Sequence, residues 1–399
     1  MARLPEGDPA PASGALPNPD VARGFGAYVH IPFCATRCGY CDFNTYTNLD
    51  FGPGAAAASF EQTLTREIEL SARVLEVGVT KDPKLTSIFF GGGTPTMLSA
   101  PQLVAVLDEL RRTFGIAPGA EVTTEANPET VSFVMLEQLR AGGFTRISFG
   151  MQSAREHVLE TLDRRHTPGQ VQQACEWARD LGFEYSVDLI YGTPGESIED
   201  WRASLEAAIA LNPGHISAYA LTVEPDTPMG RAVRKGTLPE PSPDDQADKY
   251  ELADEVLSSA GYQWYEISNW SKPGKESRHN LAYWHESNWW GYGPGAHSHV
   301  NGTRWWNVKH PLAYATRLGE GQSPAYSREV LSASEVREEL IMMGIRLREG
   351  IDRPEGVSAQ TVAQLIADGL VEPQAALRGK LVLTLRGRLL ADTVIRELW

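Results

Sequence analysis

Short apolar runs alternate with amphipathic stretches from about residue 25 to residue 222 of this 399-residue chain. The apolar runs predict strands, and the stretches between them predict helices. Elements that alternate at this spacing form a parallel sheet with right-handed crossovers. The predicted strands are 27–31, 87–90, 121–125, 146–149, 185–190 and 215–220, and the predicted helices lie near 59–76, 101–114, 130–141, 169–181 and 199–211. Six such strands predict an α/β fold with a partial (β/α)6 barrel, because a closed barrel of this kind takes eight.

Changes in composition divide the chain into four predicted segments. Frequent prolines without an apolar run predict a flexible tail at the start, and not a signal peptide. Beyond the barrel and a further predicted helix near 244–260, seven of the ten tryptophans lie between Trp264 and Trp306, among several glycines. Such sequence predicts a mixed α/β extension packed around large aromatic rings. The predicted boundaries are 1–24 for the tail, 25–222 for the barrel, 223–325 for the extension and 326–399 for a C-terminal domain.

The last segment predicts a small winged-helix-like domain. Its pattern indicates helices near 332–347 and 358–368, a strand pair at 370–373 and 380–385, and a closing segment of helical character from Arg386. Winged-helix domains often bind DNA, but the segment from Arg328 onwards has 10 Lys and Arg against 11 Asp and Glu. A DNA-binding surface needs clustered basic residues, so nucleic acid is not an expected partner.

The charge of the whole chain also argues against nucleic-acid binding, and its hydropathy argues against a membrane span. The formal net charge is −15, which disfavours a broad surface for nucleic acid. No apolar stretch approaches the roughly 18 residues that a transmembrane helix needs. Together with cysteines that look free, these features predict a cytoplasmic protein without a transmembrane segment.

Three of the four cysteines are crowded into eight positions directly after the first predicted strand. Cys34, Cys38 and Cys41 form a C-x3-C-x2-C run, and thiolates this close in sequence can bind one soft metal centre. Three is one fewer than a closed zinc or iron–sulfur site normally takes, so a cubane held here would keep one iron open for an outside ligand. The alternatives are a disulfide with a spare thiol, or a zinc site completed by His30, which Pro32 makes awkward to reach.

Distinctive motifs follow the ends of the next four predicted strands. They are Gly91-Gly92-Gly93-Thr94-Pro95, Glu125-Ala126-Asn127-Pro128, Gly150-Met151-Gln152-Ser153 with Arg164 and His166 in the crossover, and Asp188-Leu189-Ile190-Tyr191-Gly192. Functional groups of a parallel barrel collect at the carboxyl ends of its strands. Each motif alone could be an ordinary turn or cap, but four of them opposite a cysteine loop predict one binding site. The fourth cysteine, Cys175, is predicted to be a buried helix residue.

Several motifs together give a resemblance to a known family. They are Tyr-x-His-Ile-Pro-Phe-Cys, Gly-Gly-Gly-Thr-Pro, Gly-x-Gln-Ser and Asp-Leu-Ile-Tyr-Gly-x-Pro-Gly, in this order. From about residue 25 onwards the chain resembles radical S-adenosylmethionine (SAM) proteins related to oxygen-independent coproporphyrinogen III oxidase. The resemblance implies a [4Fe–4S] cluster on Cys34, Cys38 and Cys41, with SAM on the fourth iron. It also implies that SAM, as one molecule or more, is bound by Tyr28, Gly91, Gly92, Gly93, Thr94, Glu125, Gln152, Arg164 and Asp188.

Two departures from the oxidase pattern favour a different group within that family. The oxidase looks like C-x3-C-x2-C-x-C, but the last position here is Phe43, and only a short tail stands where the oxidase has a longer N-terminal segment. The run from Arg278 to Trp284 matches the H-N-x-x-Y-W signature of haem chaperones of the HemW type. This resemblance implies that the chain binds haem, with His279 as a suitable axial ligand, and transfers it to an acceptor protein that the sequence does not identify. A homodimer is compatible with it.

Two alternatives stay open at this point. His279 could be a hydrogen-bonded core histidine, and His297 or His299 could take its place as haem ligand. The alternative function is a radical SAM oxidase that decarboxylates coproporphyrinogen III after reductive cleavage of SAM. Phe43 and the H-N-x-x-Y-W motif argue against that activity, and no catalytic residue is predicted.

Overall fold

A computed structural model describes residues 5–21, 24–78 and 83–399 of the chain. Within these ranges, thirteen strands form one sheet and two further short strands form a separate ribbon. The strands of the large sheet are β1 Asp8–Pro9, β2 Phe25–Ile31, β3 Leu85–Gly92, β4 Ile116–Ala126, β5 Arg146–Gln152, β6 Glu184–Tyr191, β7 His215–Ala220, β8 Gln263–Glu266, β9 Asn269–Ser271, β10 Asn288–Tyr292, β11 His297–Val300, β12 Thr303–Asn307 and β13 Ala325–Val330. Their order across the sheet is β1-β13-β12-β11-β10-β2-β3-β4-β5-β6-β7-β9-β8.

Strands β2 to β7 are the parallel centre of the sheet and lie side by side in chain order. Helices connect successive strands: α1 Phe60–Val74, α2 Ala100–Phe114, α3 Phe133–Gly142, α4 Glu156–Thr161 with α5 Pro168–Asp180, and α6 Ile198–Ala210. The predicted partial (β/α)6 barrel is therefore confirmed, with every predicted strand and helix present. Among the α-helices described for this part of the chain, sequence reasoning missed α4, whose six residues are too short to show a helical period.

The two faces of the central strands differ in chemistry. Successive residues of a strand point to opposite sides, so alternate positions share an environment. On β5, Ile147 and Phe149 are fully buried in the hydrophobic core beneath the helices, whereas Arg146 and Ser148 face the barrel interior. Barrel interiors of this class are usually filled by Val, Ile and Leu. The polar inner positions instead surround a cavity.

The aromatic extension adds structure at both edges of the parallel sheet. Strands β9 and β8 continue it antiparallel beyond β7, and β10 lies parallel to β2 before the antiparallel β11 to β13. The helices of this segment are α7 Pro228–Arg234, α8 Pro243–Ser259, α9 Arg278–Trp284 and α10 Pro311–Gly319. Trp270, Trp290 and Trp306 are almost completely buried. The predicted β structure around large rings is thus present, together with the predicted helix near 244–260.

The C-terminal segment has a hydrophobic core of its own, separate from that of the barrel. It consists of α11 Ala333–Gly344, β14 Ile351–Asp352, α12 Ala359–Ala367, α13 Pro373–Ala376, β15 Lys380–Leu381, α14 Leu385–Leu389 and α15 Ala391–Leu398. The predicted strand pair is confirmed in part. The antiparallel bridge Val371–Leu383 joins the two stretches, with the Glu372 amide donating to the Val382 oxygen and the Thr384 amide to the Leu370 oxygen. The pairing is shorter than predicted, and β15 also pairs with β14. Pro373 starts a helix because its ring is pre-organised for a first helical turn. The domain boundaries stay predictions.

Part of the segment predicted as a flexible tail is in the sheet. Asp8 and Pro9 pair with Arg328 and Ser327 of β13, whose outer edge would otherwise leave backbone groups unpaired. Val21 is buried in the barrel core. The flexible-tail prediction does not hold for these residues, and its positions 1–4 and 22–23 lie outside the described residues. Across the described ranges, no helix combines the length and apolarity needed to cross a bilayer.

Candidate cofactor site

A cavity of about 560 Å³ occupies the interior of the parallel strands. This size falls in the range of small-molecule sites. Its wall includes every predicted site residue except Gly91. One part of the wall, here called the cysteine end, is the loop after β2 with Cys34, Cys38 and Cys41. The opposite part, here called the helix end, is α9 with His279.

The three cysteines of the loop are free thiols, as is Cys175. Cys34 is buried, and burial raises the pKa of its thiol to about 11. Burial also raises the pKa of the Cys41 thiol. A bound metal deprotonates its thiol ligands outright, so a cation held here would offset the raised pKa values of Cys34 and Cys41. The expected burial of Cys175, on α5, is confirmed.

Hydrogen-bond donors stand beside each sulfur of the loop. Thr94 Oγ1 donates to Cys34 Sγ over 3.8 Å, and Thr45 Oγ1 lies 3.9 Å from Cys41 Sγ. Arg164 Nη1 donates to Cys38 Sγ over 3.6 Å. Across the described ranges, no three His, Cys or acidic side chains stand close enough to hold a single metal ion. A cubane cluster does not require its ligands to converge on one ion, because each thiolate binds a different iron. Three free thiols, each beside a donor that favours thiolate, suit that group.

Both ring nitrogens of His30 are hydrogen-bonded within the protein, so His30 does not complete a zinc site. Its Nε2 donates to the backbone oxygen of Asn44 over 2.9 Å, and its Nδ1 accepts from Tyr28 Oη over 3.0 Å. Burial lowers the pKa of His30 to about 4, so the ring is neutral. Asn44 in turn donates to the carbonyls of Pro294 and Lys309 in the extension. These bonds fix the cysteine loop between β2 and the aromatic segment.

A chain of side chains links two of the cysteines across three strand ends. Arg164 Nη2 donates to Asn127 Oδ1 over 2.8 Å, and Asn127 Nδ2 donates to Thr94 Oγ1 over 3.1 Å. Thr94 contacts Cys34 and Arg164 contacts Cys38, as described above. Displacement of any of these side chains would therefore change the hydrogen bonding of Cys34 or Cys38. The motifs predicted after β3, β4 and β5 meet in this one network.

Glycine is required in the turn after β3 because the cysteine loop crosses it closely. A Cβ at Gly93 would lie 2.9 Å from Cys34 Sγ and 2.6 Å from the Phe33 oxygen. A Cβ at Gly92 would lie 2.5 Å from the His30 ring, and the φ of Gly92 is +110°. Gly91 does not line the cavity, but its Cβ would lie 3.1 Å from Glu125 Oε2. The three glycines therefore allow the cysteine loop to pack closely, and they also let a ligand approach the backbone.

Two half-buried carboxyls, those of Glu125 and Asp188, face the middle of the cavity. Burial, reinforced by the charge of Asp188, raises the pKa of Glu125 to about 8. The Gly92 amide donates to Oε2 of Glu125 over 3.2 Å. Burial also raises the pKa of Asp188, although Ser217 and Ser148 donate to it over 2.7 and 2.8 Å. The raised pKa favours the neutral form of Glu125, which can donate as well as accept.

The end of β5 is bent to present Gln152. Its φ of 59° lies in the left-handed region, where a residue other than glycine is strained. A Cβ on Gly150 would lie 2.9 Å from Gln152 Nε2 and 3.1 Å from Arg164 Nη2, so glycine allows both side chains to cross there. His166 does not line the cavity, and its Nε2 donates to the Met151 carbonyl over 2.9 Å.

The helix end is built on a buried carboxylate. Glu121 on β4 accepts from the backbone amides of Arg278 and His279, each over 3.2 Å, and from Ser277 Oγ over 3.3 Å. Arg146 pairs with Glu121 and donates to the backbone oxygens before α9. A carboxylate at a helix start satisfies amides that have no partner inside the helix. Helix α9 is thereby docked against the amino ends of the barrel strands.

His279 has both ring nitrogens occupied. Nδ1 lies 2.9 Å from Ser87 Oγ, and Nε2 lies 2.8 Å from Tyr283 Oη. The ring stacks on Phe89 at a centroid distance of 5.2 Å, and burial lowers its pKa to about 3. His297 and His299, the alternative ligands, lie on β11 outside the cavity wall. His299 accepts from the Gly302 amide and donates to the Ser287 carbonyl.

Sequence reasoning missed the polar lining below the strand ends. Thr123, Ser148, Ser186, His215 and Ser217 all line the cavity. Their signal was present, because each is a polar residue at an alternate position of a predicted strand. Parallel strands covered on both faces usually read as continuous apolar runs. Alternation in such a strand indicates an interior that holds something other than side chains.

The chain is similar to proteins already described. The profile of the radical SAM superfamily matches residues 28–208. A protein of Mycobacterium tuberculosis named "Heme chaperone HemW" is 46% identical over 393 residues, 98% of each chain. A protein of the same name from Bacillus subtilis is 33% identical over 380 residues, 92% of this chain and 97% of its own. Coproporphyrinogen III oxidase (HemN) from Escherichia coli has the same fold, with a TM-score of 0.80 at 23% identity over 95% of this chain and 91% of its own.

Proposed function

The chain belongs to the family of HemW-type haem chaperones within the radical SAM superfamily, and from that premise we propose that it binds haem and transfers it to an acceptor protein. The observation that carries this proposal is the 46% identity to a protein named as a haem chaperone, over 98% of both chains. The H-N-x-x-Y-W run on α9, which lines the cavity, supports it from within the chain.

We further propose that the cysteine end holds a [4Fe–4S] cluster on Cys34, Cys38 and Cys41, with SAM on the remaining iron. Such a cluster, when bound, supplies an electron that can cleave SAM reductively. The protein would position the cluster and stabilise its thiolate ligands, because Thr94 and Arg164 direct hydrogen-bond donors at two of the sulfurs. Gln152 has the amide donors, and Glu125 and Asp188 have the carboxyl oxygens, that the amino-acid end of SAM requires. The amides of Gly92 and Gly93 already donate to Glu125 and to the Ile31 oxygen, so these glycines would contribute close approach of the backbone.

The middle of the cavity suits a flat ligand. Tyr28 and Phe89 stack with an interplanar angle of 21°, and both rings line the wall together with Tyr283. Aromatic rings pack favourably on other extended π systems. We propose that haem lies against this wall, near α9. The acceptor is a protein that this chain does not identify, and we place the transfer in the cytoplasm because a reduced cluster requires a reducing compartment.

An anaerobic titration of the cluster-reconstituted protein with haem, followed by visible absorbance, tests the proposal. We expect saturation near one haem per chain and loss of the bound haem to added apomyoglobin, used as a generic acceptor. Absence of saturable binding would refute the chaperone function. Turnover of coproporphyrinogen III to the divinyl product would instead support the oxidase alternative, which the exposed Phe43 in place of a fourth loop cysteine disfavours.

A further inference from the structure

The motif histidine does not offer a free nitrogen to the cavity. Ser87 Oγ and Tyr283 Oη occupy its two ring nitrogens, and Phe89 covers one face of the ring at an interplanar angle of 18°. His279 is only 2% exposed. An iron atom could approach Nε2 only by displacing the hydroxyl of Tyr283. Three neighbours therefore hold the imidazole in place, which suits a residue that positions another side chain.

Tyr283 is the group that His279 supports. It is half-buried and lines the cavity wall, one helical turn after the histidine. Its ring meets His279 edge-on at 4.8 Å and Trp289 edge-on at 4.7 Å, with interplanar angles of 77° and 79°. Two perpendicular contacts and one hydrogen bond fix both the ring and its oxygen. A phenolic oxygen so fixed is a suitable protein ligand for ferric haem.

We propose that Tyr283 Oη is the protein ligand of the haem iron and that His279 is a positioning residue for it. This inference deepens the proposed function and rests on it. When the ligand bond forms, the O–H bond of Tyr283 is replaced by an Fe(III)–O bond and the proton leaves to water. No electron moves.

The hydrogen bonds around His279 suit it for that role. If the Ser87 hydroxyl donates to Nδ1, the neutral imidazole carries its proton on Nε2 and donates it to the oxygen of Tyr283. A donor to the charged form stabilises a phenolate. This arrangement leaves the buried ring neutral and gives both of its nitrogens a partner.

The test is a ferric haem titration of the cluster-reconstituted parent and of Tyr283→Phe, His279→Ala and Tyr265→Phe. Tyr265→Phe is the matched control, because Tyr265 Oη also pairs with a cavity histidine, His215 Nε2 at 2.8 Å. Electron paramagnetic resonance and resonance Raman spectra report the axial ligand of the bound haem. Circular dichroism confirms folding; Tyr283→Phe retains the ring and its packing.

We expect a tyrosinate signature in the parent and in Tyr265→Phe, and its loss in Tyr283→Phe with at least tenfold weaker binding. His279→Ala should keep the tyrosinate signature but bind haem more weakly. A histidine-ligated spectrum that persists in Tyr283→Phe and disappears in His279→Ala would overturn the inference while leaving the chaperone function intact. No saturable binding by the parent would overturn both.

Discussion

The two ends of the cavity are satisfied to different degrees. At the cysteine end, the sulfurs have only long contacts to donors, and the buried Nε atoms of Arg37 and Arg164 find no hydrogen-bond partner among the described residues. At the helix end, both nitrogens of His279 have partners and a carboxylate caps α9, although Arg146 Nη2 and Trp284 Nε1 also lack a partner among the described residues. Unpaired buried polar atoms destabilise a fold and tend to be kept where a ligand is bound. Both ends therefore keep polar atoms that a ligand could satisfy, and they differ in their motif side chains: the sulfurs have only weak contacts, whereas the imidazole of His279 is fixed by hydrogen bonds.

Removal of a loop cysteine should produce the largest effect. Serine at Cys34, Cys38 or Cys41 removes a soft ligand that iron requires, so the visible absorbance of the cluster should disappear. Cys175→Ser is the control, because that thiol lies on α5, outside the cavity wall, and should leave the iron content unchanged. Full iron content in a loop variant, measured after anaerobic reconstitution, would reject the assignment of that cysteine.

A substitution at the helix end should lower the stability of the fold more than it lowers the cofactor content. Glu121→Gln leaves Arg146 without its buried counter-charge and weakens the cap on α9, which should lower the free energy of unfolding by about 3 kcal/mol. Denaturant unfolding of the protein without cofactors measures this. Glu137→Gln, an exposed change on α3, serves as the control and should alter stability little. Equal stability of both variants would show that α9 is not docked through Glu121.

Loss of the arginine at the cysteine end should be milder than loss of a cysteine. Arg164→Gln removes the donor to Cys38 and one link to Asn127, so SAM affinity should fall about tenfold, the value of one charged hydrogen bond. Equilibrium binding of SAM to the reconstituted protein measures it. Arg165→Gln changes the exposed neighbour and controls for charge alone. An identical affinity in both variants would remove Arg164 from the site.

The carboxyl between the two ends should give an effect of a different kind, a pH dependence of stability. The pKa of Glu125 is raised to about 8 in the folded protein, from about 4.3 in an unfolded chain. Its protonated form favours the fold, so this contribution is fully present below about pH 4 and is lost as pH rises through about 8. The unfolding free energy of the parent should therefore fall more steeply than that of Glu125→Gln between pH 5 and 8. Parallel curves would contradict the raised pKa.

The sequence was most informative where period and motif act locally. Strand and helix periods predicted all six parallel strands, and the motifs after β2 to β6 identified the part of the cavity wall at the strand ends, but not the polar lining below it. The sequence did not reveal what depends on distant contacts. The position of β10 beside β2 follows from pairing between residues far apart in the chain, and so does the pairing of β14 with β15. Local propensity carries no information on such partners.

The environment of His279 is the clearest case of that limit. Its motif marks a functional helix, but the occupation of its nitrogens depends on Ser87, 192 positions earlier, as well as on Tyr283. Spacing on a helix could place Tyr283 one turn after His279. It could not show that Phe89 and Ser87 would hold the imidazole from the other side.

Anomalous diffraction at the iron absorption edge, from crystals of the protein loaded with cluster and haem, would locate the cluster and the haem iron in one experiment. We expect two iron sites along one cavity: a cluster at Cys34, Cys38 and Cys41, and a single iron beside α9 within bonding distance of Tyr283 Oη. A haem iron outside the barrel, for example beside His297 on β11, would contradict this expectation.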